Sequence, residues 1–441
     1  MRRLPILGAV LWALLVLSLP SFRLFAAETL TWEQCLREAS ENHPDLRSAS
    51  EAVRQAEAQR AIDRGGMLPS LSVSGGGSRY GNFSDAGGTT SALTNTNTAT
   101  GGNSRGSWSA AVTATQLLYD GGKTRNTVES RTETIKATQR AADLISATTR
   151  YNLRNAFVQL LTAQQQVKLA SEIAEIRRHS LRLIGLLYQS GSENSGSLSK
   201  ARADVSQAEF EIGQAGRGLE MSQAVLCTQL GRRTSSPLTV SAPFTATESP
   251  KGMPDFDLLV RSHPTYQQLV AQKAASRYSL DAARGTYMPK VSLTTSVGNN
   301  SFGSLPPDRV DWQVGVNLSV PIYQGGTGRA TVAQARATFN KLSADEESAY
   351  FSVMRTLQQT WKVFRDASDN VEVQKLYLNA ATERSRIAEA QYSAGLASFN
   401  EWTIIEDNLV TAKKSYLTAR STLLTAEAAW VQAKGGTVET R

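Results

Sequence analysis

The stretch WQVGVNLSVPIYQGG, residues 312–326, constrains the fold more than any other part of the sequence. Its apolar residues alternate with small or uncharged polar ones: Trp312, Val314, Val316, Leu318 and Val320 against Gln313, Gly315, Asn317 and Ser319. Period-two alternation predicts a strand with one apolar and one polar face. A soluble sheet would alternate in the same way, but a polar face without charges favours a water-filled lumen. The longer strands of this type reach about the length that crosses a bilayer when tilted.

The pattern around Trp312 also occurs earlier, because the sequence repeats itself. Two pairs of segments match at an offset of 220 positions: residues 42–46 with 262–266, and 68–73 with 288–293. Farther along, three matches have an offset of 204 positions: Trp108 with Trp312, 119–122 with 323–326, and 188–191 with 392–395. We interpret the chain as a tandem duplication. The predicted repeats are residues 28–232 and 255–441, and the proline-rich segment 233–254 is the linker. This linker is either bare or carries a small added element.

The two halves differ in length between their predicted strands. The first half has the segment Gly75 to Gly106, and the second has a shorter one around Asn299 to Pro307. The first-half segment is rich in Gly, Ser, Thr and Asn and has too few apolar residues to pack. We therefore expect a solvated loop there.

Long helices are predicted after each double glycine. Residues 123–190 and 327–394, 68 in each segment, contain no proline. At about 1.5 Å per residue each helix would be roughly 100 Å long, far more than a single globular core requires. The returning segments carry heptad stripes, Leu409, Ala412, Tyr416, Ala419, Leu423, Ala426 and Trp430 in one and Val205, Ala208, Ile212, Ala215 and Leu219 in the other. These stripes favour coiled-coil packing, although an ordinary helical core would show them too.

The N-terminal segment predicts export. Residues 1–27 combine Arg2 and Arg3, the apolar run from Ile6 to Leu19 and a small-residue cleavage region at Ala26 and Ala27, which is typical of a signal peptide. An uncleaved membrane anchor is the alternative. No later stretch has the ~18 consecutive apolar residues of a transmembrane helix, so the exported chain would be soluble, peripheral or built from strands that close into a barrel.

Charge and reactive residues argue against several classes of function. The net charge of +8 falls to +5 when Arg2, Arg3 and Arg23 leave with the signal peptide, and the remaining charges are interleaved, so we expect no nucleic-acid binding. Cys35 and Cys227 cannot be placed within bridging distance from the sequence, and a pair of buried thiols is expected.

Candidate catalytic groups are few. His43 and His263 precede prolines at matching positions, which favours a structural role, and His179 is the third histidine. Gly122-Lys123-Thr124 ends like a phosphate-binding loop but lacks the earlier glycine of that motif. With no cluster at metal-ligand spacing, we expect neither an enzyme nor a cofactor.

The order of elements, occurring twice, resembles the TolC-like outer-membrane efflux and type I secretion channels over nearly the whole chain after the signal peptide. The residues that carry the resemblance are Asn42-His43-Pro44, the strand entries at Pro69 and Pro289, Pro321 to Gly326, and Tyr392 to Leu396. Each motif is weak alone, and their order and repetition make the resemblance specific.

The resemblance implies a mostly α-helical fold with a small β part. Three protomers would each give four strands to one 12-stranded transmembrane β-barrel and would pack their long helices into a coiled-coil periplasmic tunnel. Threefold association would remove the sheet edges that hydrocarbon cannot satisfy. The resemblance also implies an outer-membrane location that extends into the periplasm. The implied partners are a periplasmic adaptor, an inner-membrane pump and outer-membrane lipid, and the pump selects the cargo, whether drugs, metals or unfolded proteins.

The resemblance assigns expected roles to residues near the two glycine turns. Gly191, Ser192, Gly395 and Leu396 would form the periplasmic tips that contact the adaptor, although a glycine after a long helix is also an ordinary C-cap. Tyr392 and Glu401 are candidate gate residues, and three such carboxylates would favour cations. Glu401 is equally well explained as a solvated surface residue.

The sequence departs from the family near these turns. Ala397 and Ile404 stand where many relatives have a basic and an acidic residue, and the first tip, residues 192–196, is unusually polar. The contacts that close the entrance in relatives are therefore not expected in the same form. The competing hypothesis is a periplasmic coiled-coil scaffold or adaptor without a membrane barrel.

Overall fold

The structure is a computed structural model that describes residues 28–81, 104–234, 236–247, 252–302 and 310–439. The predicted signal peptide lies outside these residues. Elements of the first half are β1 (Glu28–Leu30), α1 (Trp32–Asn42), α2 (Pro44–Gly65), β2 (Ser70–Gly81), β3 (Ser104–Tyr119), α3 (Lys123–Gln189) and α4 (Ser195–Gln229). They are followed by β4 (Leu238–Val240), α5 (Phe256–Ser262), α6 (Pro264–Gly285), β5 (Lys290–Phe302), β6 (Asp311–Ser319), α7 (Thr327–Ser393) and α8 (Phe399–Ala433).

The two halves have the same order of elements, and their three longest helices match in length, whereas α1 has 11 residues and α5 has 7. Helices α2 and α6 each have 22 residues, α3 and α7 each have 67, and α4 and α8 each have 35. At about 1.5 Å per residue the 67-residue helices are roughly 100 Å long, as the sequence predicts. The segment between the halves carries the short strand β4, which pairs in parallel with β1. The linker therefore contains a small added element.

The two matched histidines are helix caps. Pro44 and Pro264 begin α2 and α6, where a missing N–H costs nothing. The imidazole Nδ1 of His43 accepts the N–H of Asp45 at 3.3 Å, and that of His263 accepts the N–H of Thr265 at 3.1 Å. The described part of the chain thus gives both histidines the structural role that their position before proline predicts.

A four-stranded antiparallel sheet has the order β2-β3-β5-β6. The loop predicted from Gly75 to Gly106 is too long, because β2 extends to Gly81 and β3 begins at Ser104. The glycines of β2 join the ladder since their main chains pair with β3, and the Trp108 ring packs against Gly77. Strand β5 likewise continues to Phe302, beyond the predicted loop start at Asn299. Residues 82–103 lie outside the described part.

The helices form a wall whose order follows the order of the strands. Next to the sheet the packing order is α2-α3-α6-α7, and farther away it is α4-α3-α8-α7. The heptad stripe of α8 is protected as predicted, with Leu409, Ala419, Ala426 and Trp430 buried and its other members half-buried. Across the described residues, no helix combines the length and apolar character required to cross a membrane.

The main hydrophobic core lies where α1, the end of α4 and the small β1–β4 sheet pack on the middle of α3. Phe157 and Leu226 are fully buried there, and Trp32 packs edge-on against Phe157 at 5.7 Å. Cys35 and Cys227 belong to this core as free, buried thiols, in agreement with the prediction from the sequence. Burial raises the pKa of the Cys35 thiol to about 12.

Candidate functional site: the sheet faces and the hairpin tips

One face of the four-stranded sheet is apolar and uncovered in the protomer. Strand register places Val73 opposite Val112, Val112 opposite Val297 and Val297 opposite Trp312, so one apolar row crosses all four strands. The large apolar side chains exposed on this face are Leu71, Val73, Trp108, Val112, Val297, Trp312, Val314, Val316 and Leu318. A soluble monomer rarely leaves so extended an apolar surface open.

The opposite face is lined by hydroxyl and other uncharged groups. A typical row runs from Ser72 through Thr113 and Ser296 to Gln313. Among the described side chains, the charges on this face stand at its margins, Lys290 opposite Ser319 at one end and Asp311 opposite Gly298 at the other. The sheet thus separates an apolar surface from a neutral hydrophilic one.

The two edges of the sheet are open. Within the described residues, β2 pairs only with β3 and β6 pairs only with β5. The outer main-chain N–H and C=O groups of both strands therefore have no ladder partner in the described part of the chain. Such edges readily pair with another strand.

The glycine turns end the long helices at the far end of the wall from the sheet. Gly191 and Gly395 have φ of 78° and 73°, a left-handed conformation that glycine adopts at little cost. The Ser192 N–H donates to the Leu187 carbonyl and the Leu396 N–H to the Gln391 carbonyl, both at 2.8 Å. Both turns are Schellman C-caps. We call α3 with α4 hairpin 1, and α7 with α8 hairpin 2.

Tyr392 connects the two hairpins near their tips. Its ring is buried and stacks on Trp402, with centroids 4.4 Å apart and planes 14° apart. Its hydroxyl donates to Glu193 Oε1 at 3.0 Å, reaching from the end of α7 to the turn of hairpin 1. Burial first, and then this bond to the carboxylate, raise the pKa of Tyr392. The sequence predicted no separate role for Glu193, which was noted only as part of the polar tip formed by residues 192–196.

All four helices of the hairpins meet in a small apolar cluster, which we call the tip core. Its buried members are Ile184, Ala201, Ala388, Tyr392 and Trp402. Ala397, one of the two departures from the family pattern, packs against this core, whereas Ile404 is exposed. The tip core packs the two hairpins against each other near their turns.

Glu401 has a local structural role. Ser398 is the N-cap of α8. A Glu401 carboxylate oxygen accepts the Ser398 N–H at 3.0 Å and lies 2.9 Å from the Ser398 hydroxyl. In return, the Glu401 N–H donates to the Ser398 hydroxyl at 3.2 Å, which completes a capping box. These bonds lower the pKa of Glu401. Among the described residues no hydrogen bond joins Glu401 to Tyr392.

An ionic cluster ties α3 to α8 about three helical turns above the tips, with Arg177, Ser180 and Glu406 largely buried and Asp407 half exposed. The Ser180 hydroxyl lies 2.9 and 3.0 Å from the two carboxylate oxygens of Glu406, and Arg177 Nη1 lies 3.3 Å from Glu406 Oε2. Arg177 also pairs with Asp407. Burial raises the pKa of Glu406, against the opposing effects of Ser180 and Arg177. We call these four residues the inter-hairpin cluster.

The inter-hairpin cluster was not predicted from the sequence, although the sequence contains a signal for it. Continued toward the start of α8, the heptad stripe passes through Ile405 and Trp402. Glu406 follows Ile405 directly, so helical spacing would have predicted an acid beside a packed interface. Its partner on α3 could not be identified, because the two residues are more than 200 positions apart.

The chain is similar to known outer membrane efflux proteins over most of its length. A family model described as outer membrane efflux protein matches residues 35–232 and 257–436. The pyoverdine export outer membrane protein OpmQ of Pseudomonas aeruginosa is 23% identical over 408 residues, which cover 92% of this chain and 85% of OpmQ. The cation efflux system protein CusC of Escherichia coli K12 is 23% identical over 411 residues, 91% of this chain and 85% of CusC.

Solved structures share the fold. A crystal structure of CusC superposes with a TM-score of 0.81 at 20% identity and covers 95% of this chain and 96% of its own. The open state of the Neisseria gonorrhoeae MtrE outer membrane channel gives a TM-score of 0.79 at 20% identity, with coverage of 92% and 89%. At this identity the likeness establishes the fold.

Proposed function

Because the chain belongs to the outer membrane efflux protein family, whose members are outer-membrane channels and not enzymes, we propose that it is the outer-membrane channel of a tripartite export system. Three copies close one channel. An inner-membrane pump and a periplasmic adaptor deliver substrates to its periplasmic end, and the substrates leave through the barrel. Residues 1–27 act as the signal peptide, and residues 28–232 and 255–441 are the two repeats of a tandem duplication.

The observation that carries this proposal is the exposed apolar face beside two open sheet edges. Four strands that alternate in direction can be continued by β2 of a second copy beside β6 of the first, and three copies give twelve antiparallel strands. Closure pairs every edge, as hydrocarbon requires. The apolar face then lies against lipid, and the face with Ser72, Thr113 and Ser296 lines the lumen.

The height of the apolar face fits a membrane. From Trp108 to Tyr119 β3 advances 11 residues, about 36 Å at roughly 3.3 Å per residue. A strand tilted by about 40° then spans roughly 28 Å, close to the apolar band of about 25 Å in membrane barrels. On β3, Trp108 and Tyr119 stand at the two ends of this face, and on β6 Trp312 stands at the end where the strand begins. Aromatic residues are favoured at such ends, where a membrane barrel meets the interface.

The helices form the periplasmic tunnel, and contacts between hairpins hold its entrance closed. The bond between Tyr392 and Glu193, together with the inter-hairpin cluster, supports this proposal, since each joins hairpin 1 to hairpin 2. Glu401 adds negative charge near the entrance. The turns at Gly191, Ser192, Gly395 and Leu396 contact the adaptor. The side chain of Leu396 is exposed there, as a docking contact requires.

The cargo is set by the partner pump. Two relatives of equal similarity carry names that refer to pyoverdine export in one case and to cation efflux in the other. The described part of the sheet's polar face is neutral between its margins, which suits a conduit that does not select strongly by charge.

Membrane fractionation combined with planar-bilayer recording tests the proposal. The protein is expected in the outer-membrane fraction, and the purified protein should insert and form channels. Recovery in the soluble periplasmic fraction without channel activity would support the competing scaffold and remove the channel. Co-purification with an adaptor and an inner-membrane pump would identify the export system.

A further inference from the structure

Helix α4 contains three glycines within six residues. Gly213, Gly216 and Gly218 all lie in the interior of this 35-residue helix. Glycine is the least favourable helix residue after proline, because it loses the most backbone freedom when it is held in a helix. Helix α8 has the same length and the same place in the second half, but its sequence contains no glycine. This glycine segment, residues 213–218, is therefore a feature of hairpin 1 alone.

Packing does not account for the glycine segment. Among the described residues, a Cβ atom on Gly216 or Gly218 would have no neighbouring element or side chain within 4 Å. A Cβ on Gly213 would meet only the flexible end of the Arg217 side chain, at 3.4 Å. At about 100° per residue, Gly218 lies roughly 160° around the helix from Gly216, so the three glycines do not share one face. What they have in common is the flexibility that they give to the main chain.

Two further features weaken α4 at the same place. The Ser222 hydroxyl donates to the Gly218 carbonyl at 2.9 Å, a bond that competes for the helical acceptor and often bends a helix. The apolar stripe of α4 also ends at Leu219, because the next stripe position is Ser222. In α8 the equivalent of Ser222 is Ala426, which is buried within the stripe. The least stable part of α4 therefore runs from Gly213 to Ser222.

A cleft beside the glycine segment gives the helix room to move. The cleft has a volume of about 600 Å³ and lies between α3, α4 and α8. Ala215 and Gly218 line it from α4, Gln166 and Ala170 from α3, and Lys414 from α8. Close packing would resist a bend here, and the described side chains leave space instead.

On one side of the glycine segment, α4 is anchored to the main hydrophobic core. Leu226 and Cys227 are buried in that core, and Leu219 packs against it. The Gln223 side-chain amide also donates to the Leu238 carbonyl of β4 at 2.8 Å. The part of α4 that follows the glycine segment is therefore fixed to the middle of the protein.

On the other side, toward the tip, α4 is attached mainly to its own hairpin. Ala208 is buried, and Glu209 pairs with Arg178 of α3 at 3.1 Å. Next to the glycine segment, the Lys414 Nζ of α8 lies 2.8 Å from Glu211 Oε2, with side-chain exposures of 42% and 27%. A partly exposed pair of this kind is weak. It can therefore break and re-form while α4 stays on α3.

Helix α8 is held where α4 is weak. Leu417, the equivalent of Gly213, is buried in the main core. Arg420, the equivalent of Gly216, donates through Nε and Nη2 to the Phe244 carbonyl at 3.0 and 2.6 Å and lies over the Phe244 ring. The two hairpins thus differ in stiffness at the same level of the wall.

We propose that the entrance opens by bending of hairpin 1 at the glycine segment of α4, while hairpin 2 stays straight. The pair Lys414–Glu211 is the latch that holds the unbent state. This inference rests on the proposed channel and names the element that moves. Gly216 lies 21 residues after Ser195, about 32 Å along the helix, so a bend of roughly 20° displaces the tip by about 11 Å. Helix α3 follows by curving along its length.

Replacing all three glycines by alanine tests the hinge. The variant G213A/G216A/G218A stiffens α4 without a steric clash, because each Cβ has room. Its open fraction in planar bilayers should be about tenfold lower than that of the wild type. Gly185→Ala is the matched control, since Gly185 lies inside α3 and a Cβ there also meets nothing within 4 Å among the described residues. G185A should open as often as the wild type.

Lys414→Met tests the latch and its coupling to the hinge. In the wild-type background, K414M should raise the open fraction about threefold, a modest change because the pair is partly exposed. In the triple-alanine background the same substitution should leave the open fraction unchanged, because a stiff α4 does not bend when it is released. Lys136→Met is the control, since Lys136 pairs with Glu133 inside α3 and joins no two helices.

Each outcome of these recordings decides a different point. Equal open fractions of the triple-alanine variant and the wild type, or an equal decrease in G185A, would overturn the hinge and leave the channel standing. A lower temperature of trimer dissociation in SDS for the triple-alanine variant would also overturn the hinge, because the glycines would then be contact positions. The same threefold effect of K414M in both backgrounds would overturn the latch. Wild-type protein that forms no channels would remove both the hinge and the proposed function.

Discussion

Arg177→Met isolates the positive charge of the inter-hairpin cluster. The substitution keeps most of the side-chain length but removes the guanidinium that lies 3.3 Å from Glu406, at side-chain exposures of 11% and 9%. Breaking a buried ion pair by removing one partner costs about 3–5 kcal/mol. Ser180 still faces the carboxylate, so we expect the lower end, about 3 kcal/mol. A loss of that size raises the population with separated hairpins roughly 100-fold.

The effect of Arg177→Met should depend on pH. Burial holds the pKa of Glu406 above its usual value, so the packed hairpins bind a proton more readily than the separated ones. Protonation therefore favours the packed state at low pH. That stabilisation is lost as the pH rises through the packed-state pKa, by up to about 1.4 kcal/mol per pH unit. The increase in open fraction of R177M over the wild type should be smaller at pH 5.5 than at pH 7.5.

Single-channel conductance in planar bilayers is the assay. R177M should show a larger conductance or a higher open fraction than the wild type. The control is Arg178→Met, because the neighbouring Arg178 pairs with Glu175 and Glu209 inside hairpin 1 and does not join the hairpins. Equal opening by R178M, or a closed R177M channel at pH 7.5, would refute the role of the cluster.

Glu406→Gln completes the test by removing the buried charge instead of its partner. Its amide oxygen still accepts from Ser180, and Arg177 keeps Asp407, so the change should be at most about 1 kcal/mol. The double variant R177M/E406Q should be closer to the wild type than R177M alone. If the free-energy change for opening in the double variant equals the sum of the changes in the two single variants, the two residues do not interact.

Three further predictions concern other contacts. Tyr392→Phe keeps the stacking on Trp402 but removes the hydrogen bond to Glu193. The loss should weaken the closed state by about 1–2 kcal/mol and raise the single-channel conductance. An unchanged conductance would exclude this hydrogen bond from the gate. Glu401→Gln retains an acceptor for the capping box and removes the charge, so block by multivalent cations in single-channel recordings should weaken, and unchanged block would rule Glu401 out. Burial lowers the pKa of His263, so its neutral imidazole caps α6 and stabilises the fold above about pH 6.5. This stabilisation is lost as the pH falls through the lower pKa that His263 has in the folded state. His263→Asn, a cap that does not titrate, should lose less thermal stability between pH 7.5 and pH 5 than the wild type, and an equal loss would count against the cap.

The extent of the long helices follows directly from the sequence. Gly122 and Gly326 precede them, Gly191 and Gly395 follow their ends, and no proline intervenes, so both boundaries are encoded locally. The 67-residue helices agree with the predicted segments to within one residue. The alternation around Trp312 likewise identifies β6, because side chains on a strand with two different faces must change character at every step.

The extent of β2 could not be predicted from composition. Glycine and serine between Gly75 and Gly81 suggested a loop, since such residues supply little apolar surface. Their main chain pairs with β3 all the same, and the Trp108 ring covers Gly77. Partners of this kind come from another strand, so local composition does not reveal them.

The contacts between the two hairpins near their tips could be predicted from the sequence only in part. Tyr392 was identified through the family resemblance, but its partner Glu193 lies 199 positions away. Arg177 and Glu406 are 229 positions apart and become neighbours only because α3 and α8 pack side by side. Pairing across such distances depends on the tertiary fold, whereas the capping box at Ser398 and Glu401 is a local pattern that three-residue spacing alone could have indicated.

The mass of the detergent-purified protein, measured by light scattering with the detergent contribution subtracted, tests the central claim most directly. A sheet whose two edge strands lack partners must be completed by other copies before lipid can surround it. The prediction is a single species containing three chains. A stable, monodisperse species of one chain would contradict it.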